Sequence, residues 1–204
     1  MTAHRLLCAF AFWLAAMLAA GPAAAQTQTA YAGGNPVVLS VPVTASVSAR
    51  CGFADGAAPS ASVHQADFDR TGISKDIAFT LNCAGASRVA VVSQNGGLVA
   101  NGSNGTASPG YSAKAAYDVT LNLVANSSTA NATATCAAST LQANGGCSFR
   151  GPASTAQGLR VAGASTNQTG SYVRVRAPAA TTGSTPLVEG TYSDTLTITL
   201  SVAP

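Results

Sequence analysis

The sequence predicts an all-β fold, an immunoglobulin-like β-sandwich, from three observations. Short segments of alternating apolar and polar residues recur along the chain, a period of two that is typical of strands with one buried face. Loops rich in Gly, Asn, Ser and Thr separate these segments. No helical period of useful length follows the first 25 residues. About seven short strands joined by turn-rich loops indicate a sandwich.

The N-terminal segment, residues 1–25, is predicted to be a secretory signal peptide. Arg5 precedes an apolar run, Leu6–Ala20, and a small-residue cleavage site follows at Ala23–Ala25. The run is shorter than the ~20 residues of a membrane-spanning helix, so we expect no stable membrane span. Within the 204 residues, charged side chains make up 8% and aromatic ones 6%. This composition favours one exported, β-rich domain.

Two strand-length pieces are predicted after a polar start at residues 26–36. Every second residue from Val37 to Ala49 is apolar, which is longer than one ordinary strand. Pro42 lacks a backbone N–H and therefore marks a break. We predict one strand that ends near Val41 and another over residues 43–51.

The middle of the chain alternates between predicted strands and loops. Strands are expected at residues 64–69, 76–83, 88–93, 117–123, 147–149, 159–161 and 171–176. Loops are expected at residues 52–62, 94–112, 125–135 and 177–186, where Gly, Asn, Ser, Thr, Ala and Pro dominate.

The closing segment, Leu187–Val202, has the clearest alternation in the chain. Its mostly apolar parity contains Tyr192, Asp194, Leu196, Ile198, Leu200 and Val202, and its other parity contains only hydroxyl residues from Ser193 to Ser201. We predict one strand with one face on a core. Since only two residues follow Val202, the far edge of this strand is expected to be uncovered, where an immunoglobulin-like sandwich has a further strand.

Four cysteines follow the predicted signal peptide: Cys51, Cys83, Cys136 and Cys147. An even number in an exported chain indicates two disulfides, for which three pairings exist. The pairing Cys51–Cys83 with Cys136–Cys147 is preferred because each joins sequence neighbours. A metal site is disfavoured, because no two cysteines have CxxC spacing.

Catalytic chemistry has little support in the sequence. His64 is the one histidine after the signal peptide, and nothing places it beside a nucleophile. Asp67 and Asp69 would share a strand face, but solvated turn acids are the favoured interpretation. Arg174 and Arg176 share a face with Tyr172, and a solvated surface is the favoured interpretation there too. We expect no enzyme activity and no cofactor, and the net charge of +3 is too small for a nucleic-acid-binding surface.

Taken together, residues 35–204 resemble the spore coat protein U domain family, which includes the subunits of archaic chaperone–usher pili. The resemblance rests on the signal peptide, the alternation into Cys51, the strand that ends at Cys83, and above all the closing run Gly190–Leu200. That run has the form Gly-x-Tyr-x-Asp-Thr-Leu, which is similar to the terminal strand by which pilins pair with their chaperone.

The resemblance implies an incomplete immunoglobulin-like domain, residues 43–204, completed by a strand from another polypeptide. The expected partners are a periplasmic chaperone, an outer-membrane usher and other pilin-like subunits joined head to tail. Residues 26–42 would be the N-terminal extension that completes the next subunit. The implied donor residues are Val37, Leu39 and Val41, and the implied acceptor residues are Tyr192, Leu196, Ile198 and Leu200.

Two alternatives stay open at this point. In the first, the segment 37–50 is only the first strand of a complete sandwich. In the second, the chain is a secreted adhesin or carbohydrate-binding module whose long loops carry the site. All versions predict an exported protein; the pilin version places it in the periplasm in transit and then at the cell surface.

Overall fold

A computed structural model describes residues 44–46, 48, 50–54, 60–103, 105–180 and 183–203. The chain divides into two units, Met1–Ser46 and Val47–Pro204. In the first unit the described residues, 44–46, are exposed and have no regular secondary structure. The predicted signal peptide and the donor residues Val37, Leu39 and Val41 lie outside the described residues. No helix in the described part of the chain has the length and apolar character needed to cross a bilayer.

Strands make up most of the regular secondary structure that is described in the second unit, which confirms the predicted all-β fold. The strands are β1 (Cys51–Phe53), β2 (Ile73–Cys83), β3 (Ser87–Ser93), β4 (Leu98–Ala100), β5 (Lys114–Ala115), β6 (Asp118–Leu123), β7 (Ala132–Ala137), β8 (Leu159–Val161), β9 (Ser165–Ala177), β10 (Tyr192–Ser193) and β11 (Leu196–Val202). One helical turn, α1 (Phe68–Thr71), and two short 3-10 turns, Ser128–Ala130 and Ala138–Leu141, complete the described elements.

These strands form three antiparallel sheets. The largest has the strand order β1-β2-β9-β6-β7. The second has the order β11-β3-β8, and the third is a small sheet with the order β10-β4-β5. Every ladder between named strands is antiparallel.

A single hydrophobic cluster joins the two larger sheets. The five-stranded sheet contributes Leu81, Val119, Leu121 and Val173, and β3 contributes Val89 and Val91, all of them essentially inaccessible to solvent. Alternation places these side chains on the inner face of each sheet, as the sequence pattern of residues 76–83 and 117–123 predicts. The apolar faces therefore pack on one another, in the manner of an all-β sandwich.

The strand predicted over residues 43–51 is wrong for the described residues at its start. Residues 44–46, 48 and 50 are exposed and irregular, and β1 begins only at Cys51 and continues to Phe53, where a loop was predicted. Just before β1, the Ala84 N–H donates to the Arg50 carbonyl at 3.0 Å, in continuation of the β1–β2 ladder. Ala45 and its neighbours are small, so this segment has little apolar area to bury.

The weak strand predicted at residues 64–69 is also wrong, because a tight turn and α1 occupy this region. Asp67 adopts a left-handed conformation, with a φ of 48°, and α1 follows immediately. An aspartate tolerates this conformation better than most residues, which explains why the turn forms here. Asp67 and Asp69 are exposed and lie in this turn and α1, as the solvated-turn interpretation had it.

Two predicted loops contain strands, and one predicted strand is irregular. β4 lies within the loop predicted at residues 94–112, and β7 (residues 132–137) begins within the loop predicted at residues 125–135, where Ala and Thr alternate. Phe149 is completely buried but belongs to no strand; its carbonyl accepts a hydrogen bond from the Val91 N–H at 2.9 Å. Phe149 is a large aromatic residue among small polar ones, and its size, not an alternating pattern, indicates that it belongs to the core.

Both disulfides have the predicted pairing. Cys51 and Cys83 are directly opposite in the β1–β2 ladder, and Cys136 on β7 is joined to Cys147 in the segment that leads to Phe149. The second bridge therefore ties an edge strand to an irregular but buried part of the chain.

Removal of the Cys136–Cys147 bridge is expected to destabilise the fold. The bridge closes a loop with a sequence separation of 11, so replacement of both cysteines by alanine should lower the free energy of unfolding by about 3 kcal/mol. Urea denaturation of the exported protein measures this loss. Ser139→Ala, an exposed change inside the same loop, is the control and should have an effect below about 0.5 kcal/mol. Equal urea midpoints for the bridged and unbridged proteins would contradict the expectation.

Candidate strand-docking edge

The closing segment forms two strands rather than the single strand predicted. β10 pairs with β4, and β11 pairs along its whole length with β3, from Leu196 opposite Ser93 to Val202 opposite Ser87. Asp194 and Thr195 separate the two strands. The predicted parity is nevertheless present: Tyr192, Leu196, Ile198 and Leu200 are half-buried, whereas Ser193, Thr195 and Thr197 are exposed.

Among the described strands β11 lies at the edge of its sheet, and its backbone hydrogen-bonding groups divide by parity. The Gln94 N–H donates to the Thr195 carbonyl at 3.0 Å, and the Ala203 N–H donates to the Ala86 carbonyl at 2.9 Å. In an antiparallel pair, the backbone N–H and C=O groups of every second residue face the partner strand. Those of the odd-numbered residues from Thr197 to Ser201 therefore also face β3. The N–H and C=O groups of Leu196, Ile198, Leu200 and Val202 consequently point away from β3, along the outer edge. Among the described residues these groups have no backbone partner.

The apolar side chains beside this edge are less buried than those of the central strands. Leu196, Ile198 and Leu200 pack against the core but keep part of their surface exposed. The β3 residue opposite Ile198 is Val91, which is completely buried. A strand that lay along β11 would therefore cover apolar surface as well as satisfy backbone groups.

The edge of the other large sheet lies on the same side of the sandwich. Cα atoms of β1 and β11 approach within 8 Å, although no ladder joins the two strands. The β1 residues Cys51 and Phe53 are, like those of β11, only half-buried against the core. The two sheets thus expose their partly covered apolar residues along one common seam, which we call the β1/β11 seam.

No family model, curated protein or solved structure matches the chain. The residues of the β1/β11 seam, and the side chains around them, are therefore the basis on which a function can be proposed.

Asp194 fixes the point at which the chain leaves β10 and enters β11. Its carboxylate accepts hydrogen bonds from the Ser93 hydroxyl at 2.5 Å and from the Tyr117 hydroxyl at 2.6 Å. Backbone N–H groups of Thr195 and Asn95 donate to its other oxygen at 2.7 and 2.9 Å. One side chain therefore connects the end of β3, the start of β6 and the start of β11.

The environment of this carboxylate is largely closed to solvent. Ser93 is 2% exposed and Tyr117 is 4% exposed. Burial, together with the hydrogen bond to the Asp194 carboxylate, raises the pKa of the Tyr117 hydroxyl well above its usual value. Tyr117 is thus a neutral hydrogen-bond donor at physiological pH. The arrangement is suited to holding the backbone at the start of β11.

Tyr192, the first of the predicted acceptor residues, has a different environment from the β11 residues. Its ring contacts the Phe68 ring edge-on, with centroids 5.4 Å apart, and its hydroxyl donates to the Val188 carbonyl at 2.8 Å. Burial raises the pKa of this hydroxyl. Tyr192 therefore anchors α1 against β10, while Leu196, Ile198 and Leu200 line the edge.

The other sequence candidates lie away from the β1/β11 seam. His64 is exposed, and no group of three or more His, Cys, Asp and Glu side chains in the described residues has metal-binding geometry. Arg174 donates to both carboxylate oxygens of Asp76, at 2.6 and 2.8 Å, and lies 4.9 Å from the Tyr172 ring centroid. These side chains form an ion-paired, solvated surface on the outer face of the five-stranded sheet, where such pairs contribute little to stability.

Proposed function

We propose that this chain is a structural subunit of an exported surface fibre or coat, and that it accepts an extended strand of another polypeptide along the outer edge of β11. The observation that carries the proposal is the coincidence of two features on the same three residues. Leu196, Ile198 and Leu200 direct their backbone groups outward without a backbone partner among the described residues, and their side chains lie at the incompletely covered margin of the core. Strand addition supplies what both features lack.

The strand order supports an immunoglobulin-like assignment for this acceptor. The order β1-β2-β9-β6 corresponds to the A-B-E-D sheet of that fold, and β3 with β11 corresponds to strands C and F. In the complete fold, strand G lies beside F. The outer edge of β11 is the position of strand G, and the β1/β11 seam is the space that strand G would fill.

The sequence supplies a candidate for the added strand. Val37, Leu39 and Val41 share one parity, so they would direct three apolar side chains into the seam of a neighbouring subunit. Such a contact is head to tail and does not close on itself, and it therefore produces a filament. A periplasmic chaperone would cover the same edge before assembly, and an outer-membrane usher would receive the complex.

The proposal is tested by removal of residues 26–42 from the mature protein. The full-length protein should form a ladder of SDS-resistant, heat-labile oligomer bands on gels, because a docked donor strand dissociates slowly. The truncated protein lacks the donor strand and should form no such bands. Monomers of equal stability from both versions would refute strand donation.

A matched pair of substitutions tests whether the apolar side chains of the extension must fit the seam, or whether any extension of this length is enough. Leu39→Asp should abolish the ladders, since a carboxylate in an apolar seam has no partner. Ser40→Asp, on the opposite parity, should leave them intact. Equal loss from both variants would contradict the proposed parity of the donor.

A further inference from the structure

The two larger sheets end in two short and two long edge strands, and β7 is one of the long ones. β1 and β8 have three residues each, whereas β7 has six and β11 has seven. Short edges offer few backbone groups to another chain, and the exposed Arg160 on β8 adds a charge that discourages pairing. β7 is at the opposite margin of the five-stranded sheet from β1. It is therefore a separate surface from the β1/β11 seam.

The outward backbone groups of β7 belong to Thr133, Thr135 and Ala137. The Ala138 N–H donates to the Tyr117 carbonyl at 2.9 Å, in continuation of the β6–β7 ladder, so alternation directs the backbone of Cys136, Ala134 and Ala132 toward β6 and that of the three odd-numbered residues away from it. The Ala137 carbonyl accepts a hydrogen bond from the Thr140 hydroxyl at 2.8 Å, which leaves Thr133 and Thr135 as the open positions. β8 approaches β7 to within 8 Å between Cα atoms, but no ladder joins them. Both threonines lack a ladder partner among the described residues.

The threonine side chains leave this edge accessible. The Thr133 hydroxyl donates to the Asn122 side-chain carbonyl at 2.6 Å, and the hydroxyls of Thr135 and Thr120 lie 2.8 Å apart. Both side chains are thus held over β6 and do not cover the edge. The features that commonly protect an edge strand are also missing from β7: it contains no proline and no charge, and its register with β6 is uninterrupted.

The electrostatics of the region favour an identical partner. Residues 119–149, which include β7 and its flanks, contain no charged side chain, although Asp118 and Arg150 border them immediately. Two copies of this edge can approach without like-charge repulsion, and a charged partner would find no complementary group on it. Thr133 and Thr135 each offer one donor and one acceptor, so the edge is complementary to itself when reversed.

We propose that β7 pairs antiparallel with β7 of a second copy of this chain, about a twofold axis at Ala134. Thr133 then lies opposite Thr135 of the partner subunit, and the two pairs exchange four backbone hydrogen bonds. The two five-stranded sheets become one continuous sheet. This contact closes on itself and joins subunits side by side, so it is independent of head-to-tail strand donation at β11.

Thr133→Pro tests the contact in the full-length exported protein that also carries Leu39→Asp, a change expected to remove head-to-tail polymers and leave the β7 contact intact. Proline removes an outward N–H without loss of a bond to β6, which an edge strand tolerates. Sedimentation velocity over a concentration series should show self-association of the Leu39→Asp protein and of its control with the added change Thr133→Val. The dimer of Thr133→Pro should be at least about tenfold weaker, and so should that of Thr135→Lys, which places a charge on the edge without altering the backbone. Unchanged association in both variants would overturn the proposal.

Cysteine cross-linking tests the register. A mixture of Thr133→Cys and Thr135→Cys proteins should form an intermolecular disulfide, since paired strand residues lie within bridging distance. Neither variant alone should cross-link through the new cysteine, as peptide mapping by mass spectrometry would show. A cross-link in Thr133→Cys alone would indicate another register, and no cross-link in the mixture would indicate another partner for β7. Either result would contradict the twofold axis at Ala134.

Discussion

Ile198→Asp is expected to abolish accumulation of the exported protein. Ile198 is half-buried against the core, and its ladder partner Val91 is completely buried. A carboxylate at this position meets apolar neighbours, and desolvation of an unpaired charge costs several kcal/mol, roughly 3 or more. This is a large part of the ~5–15 kcal/mol that keeps a domain folded.

Thr197→Asp is the matched control for this substitution. Thr197 is the preceding residue of the same strand, but its side chain is on the exposed face. The same carboxylate there should lower the free energy of unfolding by about 1 kcal/mol or less, the range of strand propensity. Periplasmic yield and urea midpoints of the two variants provide the measurement. Normal yield of Ile198→Asp would show that this face is not part of the core.

Strands with a strict alternation and large apolar residues were predictable from the sequence. The strands around Phe79, Val119 and Val173 lie where the pattern placed them, because each buries one row of large side chains in the shared core. β7 was not predicted as a strand, because Ala and Thr alternate there without large side chains and the same composition is common in loops. The strand predicted at residues 147–149 does not form; instead, an irregular segment makes one parallel bridge to β3, at Arg150, and buries Phe149 beside it.

The outer edge of β11 was predictable in its side chains but not in the residue that fixes its start. The parity of Leu196, Ile198 and Leu200 is visible in the sequence and remains in the structure. Asp194 lies on the same parity and looks like a polar interruption of an apolar face. Its partners Ser93 and Tyr117 are 101 and 77 residues away, so no local sequence pattern predicts the contact. The Asp-Thr-Leu portion of the closing run thus has a physical reason: the aspartate connects three strands just before the edge begins.

Asp194→Ala is expected to destabilise the protein by about 3–5 kcal/mol, the largest effect that we expect of a polar substitution in the described chain. The change leaves the hydroxyls of Ser93 and Tyr117 buried without their acceptor, and it frees the N–H groups of Asn95 and Thr195. Asp194→Asn should be intermediate, since its amide keeps one acceptor oxygen but directs N–H groups at donors. Loss of this anchor should also displace the start of β11 and weaken any strand that docks there.

A double-mutant cycle with Tyr117→Phe decides whether Asp194 acts through these hydrogen bonds. Tyr117→Phe alone should cost about 1–2 kcal/mol, because it removes one donor to a partly buried carboxylate. In the Asp194→Ala background the same change should cost nearly nothing, since the hydroxyl has already lost its acceptor. Urea unfolding of the four proteins gives the coupling energy, which should be about 1 kcal/mol or more. Additive effects would mean that the carboxylate and the Tyr117 hydroxyl contribute separately, and that β11 is held in place by its ladder with β3 alone.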